Sequence, residues 1–188
     1  MPSPANPPSV PPAPATGGVR LFVMDVDGTL TDGTLTYGPD GGEWKSFHAR
    51  DGMGVHLLHL AGIVPAIVTG RRSDIVERRA QELGIREVVQ GVKDKAGEVR
   101  RLRTRLGLPA HAVAYVGDDL SDVPPMREAG FAAAPADAAP EVRQAATFVA
   151  GSAGGRGAVR EAVEALLRRE GRWDDVLARC LAGAGNLS

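Results

Sequence analysis

The chain of 188 residues holds one cysteine, Cys180, so no disulfide can close within it. No catalytic cysteine–histidine context surrounds that residue, which agrees with a reducing compartment. An excess of one charge sign is also missing, since 22 Lys and Arg face 23 Asp and Glu. A formal charge of -1 argues against the basic surface that nucleic acid demands, so no nucleic-acid partner is expected. No apolar run is long enough to span a bilayer, and no basic start leads into an apolar core of the signal-peptide kind. No membrane partner is therefore expected, and the cytoplasm is the expected location. Residues Pro2 to Ala15 lack charge and nearly all bulky apolar side chains while holding seven of the 14 prolines. They cannot bury enough surface to order themselves, so 1–17 is expected to be a disordered tail.

What is present begins with an apolar run, Val19 to Met24, of the length and branched composition of a strand buried on both faces. It ends in Asp25-Val26-Asp27-Gly28-Thr29-Leu30-Thr31. Ligands of open α/β sheets bind outside the carboxyl ends of strands, so Asp25 and Asp27 stand where a site would be. Two like charges held that close repel unless a proton or a metal intervenes.

Downstream, Thr31 to Arg50 carries the turn Tyr37-Gly38-Pro39-Asp40-Gly41-Gly42-Glu43 between Thr34–Tyr37 and Trp44–His48, which predicts a β-hairpin. At about 20 residues it is a flap, since a segment needs roughly 40 to fold as its own domain. Apolar spacing predicts a helix from Gly52 to Ala61, stopped by Gly62, and a strand from Ile63 to Val68 ending in Thr69-Gly70-Arg71. Pro65 argues against that strand lying mid-sheet with every amide paired. Ser73 is predicted to cap a helix to about Leu83, closed by Gly84. A strand over Glu87–Gln90, a helix from about Lys95 to Leu106, and a strand over Val113–Val116 follow. Gly117-Asp118-Asp119-Leu120-Ser121-Asp122 then leads into a short helix, and short strands are predicted at Phe131–Ala134 and Thr147–Val149. Helices alternating with strands predict an α/β fold, a doubly wound and mainly parallel Rossmann-like sheet. The expected organisation is one domain over 18–170 with the hairpin flap at 31–50, followed by a C-terminal tail, 171–188.

If the sheet is parallel, Asp25, Asp27, Thr69, Lys95, Asp118, Asp119 and Asp122 share one edge. Convergent carboxylates favour a hard dication with oxygen ligands, and Mg²⁺ is the expected cofactor. A lysine beside such an ion makes sense if a phosphoryl dianion lies between them. Thr69 and the amides around Gly28 and Gly70 could hold its remaining oxygens.

An Asp-x-Asp, a Thr, a Lys and a terminal Asp pair in this order resemble the haloacid dehalogenase-like phosphohydrolases. The resemblance implies that Asp25 is the nucleophile and Asp27 the general acid and base. It also implies that Asp118 completes the Mg²⁺ site with Asp25 and the Asp27 carbonyl, and that Thr69 and Lys95 bind the phosphoryl group. Asp119 and Asp122 would orient metal waters and Lys95; Lys93 is the competing lysine. Neither the hairpin nor residues 71–90 leave room for a cap domain. Asp27 to Gly33, Tyr37 to Gly41, Phe47 to Gly52, Val68 to Arg71, Tyr115 to Leu120 and Gly154 to Glu161 resemble the capless branch of that family. That branch dephosphorylates eight- and nine-carbon sugar-acid phosphates as a homotetramer whose hairpins assemble at the centre. The Gly154–Glu161 stretch favours the eight-carbon substrate by resemblance.

Read from its own residues, Gly154-Gly155-Arg156-Gly157 is a flexible elbow before an amphipathic helix, Ala158 to Arg169, with Val159, Val163, Leu166 and Leu167 inward. By resemblance, Arg156 and Arg160 of this tail would help close a neighbour's site. Arg71 and Arg50 suit a sugar-acid carboxylate, because guanidinium forks match carboxylates. Two other readings compete. A phosphoacceptor receiver domain would open with the acidic pair and carry its acceptor Asp alone on a middle strand. A catalytically idle tetramer-forming module would not keep every catalytic position.

Overall fold

The computed structural model describes residues 17–184, so the proline-rich stretch lies outside the described residues except for Gly17. The first strand, β1 (Leu21–Met24), is followed by a two-stranded ribbon, β2 (Thr36–Tyr37) and β3 (Glu43–Trp44). Then come α1 (Ala49–Leu60), β4 (Val64–Thr69), α2 (Asp74–Glu82), β5 (Glu87–Gln90) and α3 (Lys95–Arg105). The second half runs β6 (Val113–Val116), α4 (Val123–Glu128), β7 (Phe131–Ala134), α5 (Pro140–Ala145), β8 (Phe148–Val149), α6 (Ala158–Arg169) and α7 (Trp173–Ala184).

The main sheet has six strands in the order β5-β4-β1-β6-β7-β8, every pair parallel, so the first strand lies between two later neighbours. The chain first winds from β1 towards β5 and then resumes on the other side with β6. The crevice between β1 and β6 is therefore the point where the winding reverses, the place such sheets bind ligands. Side chains of β1 alternate between two cores. Phe22 and Met24 pack with α1, α2, α6 and α7 on one face, while Leu21 and Val23 pack with α3, α4 and α5 on the other. Both faces are covered, which is why β1 is apolar at every position.

Pro65 sits well inside this arrangement. Val64 donates its N–H to Arg20 of the β1 side, so Pro65 faces β5, whose pairing begins only at Ala66. The missing amide falls beyond the end of the neighbouring strand. Four local expectations need correction. Ser73 occupies the N-cap of α2 with extended backbone, but its side chain makes no capping bond. The last strand starts at Phe148, and Thr147 just before it is joined to Ala132 through both backbone and hydroxyl. The short α5 is an element the sequence reading did not contain. Residues 173–184 of the expected tail form a helix whose Val176 is buried and whose Trp173 packs under the Arg168 guanidinium, 4.4 Å from the ring centre. The α6 stripe is as expected, with Val159, Val163, Leu166 and Leu167 fully buried. No helix among the described residues is long and apolar enough to cross a membrane.

Candidate active site

The carboxyl ends of β1, β4 and β6 open onto a cavity of about 440 Å³ lined by Asp25, Asp27, Thr69, Gly70, Arg71, Lys95, Asp118 and Asp119 among others. The Asp25 amide donates to Val116 O at 3.0 Å, which fixes the end of β1 against β6. The chain then turns sharply, with Thr29 and Thr31 amides both donating to Val26 O. Gly28 lies in this turn at φ +89°, a backbone angle that disfavours a side chain, and an added Cβ would stand 2.0 Å from the Asp118 carboxylate. Glycine is needed there for both reasons. The turn also brings Thr29 Oγ1 to donate to Asp118 Oδ1 at 2.9 Å.

Lys95 enters from the first turn of α3, buried, with its ammonium 2.9 Å from Asp25 Oδ2 and 2.7 Å from Asp122 Oδ1. Lys93 is exposed, whereas Lys95 is buried and in contact with Asp25 and Asp122. Asp122 is wholly buried and saturated with donors. Its Oδ1 takes Lys95 and the Tyr115 hydroxyl at 2.6 Å, and its Oδ2 takes the amides of Asp118 and Asp119. It therefore orients the lysine and the loop that carries Asp118. Asp119 is exposed and caps the following turn through Leu120 N–H.

The charges are poised for a cation. One oxygen each of Asp25, Asp118 and Asp122 lies within 4.8 Å of the others. Since Asp122 is already saturated, Asp25 and Asp118 are the pair with capacity to spare. Asp25 Oδ1 is buried and has no hydrogen-bond partner, an arrangement costly for a carboxylate unless a metal completes it. Burial, with Asp122 adding repulsion and Lys95 opposing, pushes the Asp25 carboxyl up to about 6. Burial likewise pushes Asp118 to about 7, against the Thr29 hydrogen bond and with help from Asp25 and Asp122. Burial depresses Lys95, but Asp25 and Asp122 outweigh it and hold the ammonium above its ordinary range. The donor set is all oxygen, and it fits Mg²⁺.

Asp27 faces a different set of partners. Its Oδ1 pairs with Lys45 and its Oδ2 lies 3.6 Å from Arg71 Nε. Arg71 Nη2 in turn reaches Tyr37 Oη at 2.9 Å and Glu43 at 3.4 Å. Neither Lys45 nor Glu43 stands out as a site residue in the sequence. Their only signal was position on the hairpin, whose strands cross back over the end of β1. Arg50 is exposed in the first turn of α1 and does not line this cavity.

The Gly154–Gly157 stretch is a packed strap, which corrects the reading of a flexible elbow. Gly154 N–H donates to Asp137, Gly155 N–H to Thr29 O, and Gly157 N–H to Asp51 Oδ2. A Cβ on Gly154 would stand 1.8 Å from Gly28 O, so glycine here serves close approach. Asp51, buried near the start of α1, also accepts the Arg160 amide at 2.9 Å and thus caps α6 from outside. Arg156 lies 3.7 Å from Asp32 of its own chain, and the Arg160 guanidinium is held by Glu164 at 2.7 Å.

A parallel sheet with an Asp-x-Asp at its central strand, an opposed Asp loop and a buried lysine defines a phosphoryl-handling α/β hydrolase site. Residues 47–130 match the family described as haloacid dehalogenase-like hydrolase. The 3-deoxy-D-manno-octulosonate 8-phosphate phosphatase KdsC of Escherichia coli K12 is 43% identical over 157 residues, 84% of each chain. The crystal structure of a phosphatase of the same name from Moraxella catarrhalis, in complex with magnesium, phosphate and KDO, matches with a TM-score of 0.83. It is 41% identical and the match covers 86% of this chain and 92% of that one. A cobalt-bound deoxy-D-mannose-octulosonate 8-phosphate phosphatase from Haemophilus influenzae matches with a TM-score of 0.79, 38% identity and coverage of 84% and 92%. The chain belongs to the haloacid dehalogenase-like hydrolases and, within them, to the family of 3-deoxy-D-manno-octulosonate 8-phosphate phosphatases.

Proposed function

We propose that this chain is a Mg²⁺-dependent phosphatase that hydrolyses 3-deoxy-D-manno-octulosonate 8-phosphate to the free sugar acid and phosphate. The observation that carries the reading is Asp25. One of its oxygens is held by Lys95 while the other is buried without a partner beside Asp118. Oδ1, with Asp118 and the Asp27 carbonyl, would hold the ion. Bound there, Mg²⁺ neutralises charge on the phosphoryl oxygens and keeps Asp25 ionised.

Oδ2 of Asp25 attacks phosphorus, forming the aspartyl phosphate as the bond from phosphorus to the sugar oxygen breaks. Asp27 gives its proton to that oxygen as it leaves. Asp27 then takes a proton from the water that attacks phosphorus, and Asp25 is regenerated. Such acid–base help is typically worth about 10² to 10⁴ in rate. Thr69, the Gly70 backbone and the Lys95 ammonium hold the phosphoryl oxygens, and Arg71 at the rim meets the sugar-acid carboxylate through its guanidinium fork.

The hairpin exposes Leu35, Tyr37 and Trp44, by 44%, 60% and 69%. Three large apolar side chains on one small ribbon support its burial at the centre of a homotetramer, measurable by light scattering. An unpaired Cys180 and a phosphorylated sugar substrate support a cytoplasmic location. The deciding experiment is phosphate release from eight- and nine-carbon sugar-acid phosphates and simple sugar phosphates, with Mg²⁺ and with chelator. The eight-carbon ester is expected to turn over fastest, with no activity in chelator. A preference for the nine-carbon ester would overturn the substrate, and full activity in chelator would overturn the metal.

A further inference from the structure

We infer that Lys45, on the hairpin, is a positioning residue for Asp27, fixing which carboxylate oxygen faces the substrate. The inference rests on the phosphatase reading, in which Asp27 is the proton carrier. Lys45 directly follows β3, a strand whose Trp44 is largely exposed, yet the lysine side chain is only 1% exposed. Burying an ammonium is strongly unfavourable unless charge-assisted hydrogen bonds replace its water. Lys45 finds them in Asp27 Oδ1 and, at 3.3 Å, in Glu43. Glu43 also meets Arg71, and Arg71 meets Asp27 Oδ2, so two cations and two carboxylates alternate in a closed ring. Within that ring the Arg71 side chain is 41% exposed and its pairs are weak, so the buried lysine is the anchor.

The consequence is geometric. Asp27 lines the cavity and Lys45 does not, so the ammonium does not touch the substrate. By occupying Oδ1 it leaves Oδ2, the oxygen near Arg71, to carry the proton. Without it the carboxyl is free to rotate about its last bond, and the proton carrier loses its fixed aim at the leaving oxygen. Phosphoryl transfer from an alkyl ester, whose alkoxide must be protonated, depends on that aim. Transfer from an aryl ester does not, because the phenolate leaves unprotonated.

The test is single-turnover kinetics with Mg²⁺ on the sugar-acid phosphate and on p-nitrophenyl phosphate, for wild type, Lys45→Met and Lys45→Arg. Lys45→Met is expected to slow the first step on the alkyl ester by about tenfold or more while KM stays within about threefold. The p-nitrophenolate burst is expected to change by less than about threefold, and Lys45→Arg should restore most of the alkyl rate. Equal losses on both esters, or no loss on either, would overturn the inference alone. A wild type that releases phosphate from neither ester would overturn the phosphatase reading and this inference with it.

Discussion

Removing Mg²⁺ should make the folded chain lose stability as pH rises. Asp25 and Asp118, ordinarily at 3.8, stand at about 6 and about 7 in the folded chain, chiefly because burial penalises their charged forms. Between the unfolded and folded values the native state binds more protons than the unfolded one. The associated stability is therefore present at low pH and is lost as pH climbs through about 4 to 7. At about 1.4 kcal/mol per unit, either group alone corresponds to roughly 3 to 4 kcal/mol. The two titrate as neighbours and Asp118 is partly open to the cavity, so about 3 kcal/mol for the pair is the reasonable expectation. Mg²⁺ binds the deprotonated pair, so its stabilising effect should grow over the same interval. Urea unfolding at about pH 5 and about pH 8, in chelator and in Mg²⁺, measures this, with Asp118→Asn as the control. The variant removes a like charge while keeping an oxygen for the Thr29 hydroxyl. Without metal at high pH it should be more stable than the wild type, and it should gain little from Mg²⁺. A metal-free wild type equally stable at both pH values would refute the reasoning, as would full stabilisation of Asp118→Asn by Mg²⁺.

Asp25→Asn should reduce phosphate release to background, whereas Asp27→Asn given p-nitrophenyl phosphate, whose leaving group needs no proton, should accumulate the phosphoenzyme, detected as a phosphate-sized mass increase after acid quench. Gly28→Ala forces a side chain into the Asp118 carboxylate at a backbone angle costing about 1 to 3 kcal/mol, so Mg²⁺ affinity measured by calorimetry should fall at least tenfold. Asp51→Ala strips α6 of both cap bonds and should lower the unfolding free energy by about 2 kcal/mol in urea titration.

Much of the site was legible because a parallel sheet sends every strand tip to one edge. Asp25, Thr69, Lys95 and Asp118 are far apart in sequence, yet each lies at or soon after the carboxyl end of a strand. Lys45 and Glu43 escaped because nothing local to a short ribbon says which way it folds back, and their contacts are made with Asp27 and Arg71 on other elements. The strap at Gly154–Gly157 was misread for a different reason. Glycine marks both loose chain and tight approach, and only the packing of Gly154 on Gly28 O, where a Cβ would stand 1.8 Å away, separates the two. Asp51 carried no assignment of its own, since the amides it serves lie at the far end of the sequence. The α7 spacing of Trp173, Val176 and Cys180 was helical all along, but without a visible partner face it carried no assignment.

The strap gives the chain a temporal order as well as a shape. Its central strand is made first, but both sheet neighbours of β1 are made much later, and the loop after β1 is secured only when Gly155 reaches Thr29. During synthesis Asp25 and Asp27 thus emerge before Thr69, Lys95 and Asp118, and the loop that carries them is closed only when nearly the whole domain has left the ribosome. Folding that depends on such distant contacts is slow, and a chain interrupted before Gly155 has every side chain of the candidate site but no finished loop to hold them.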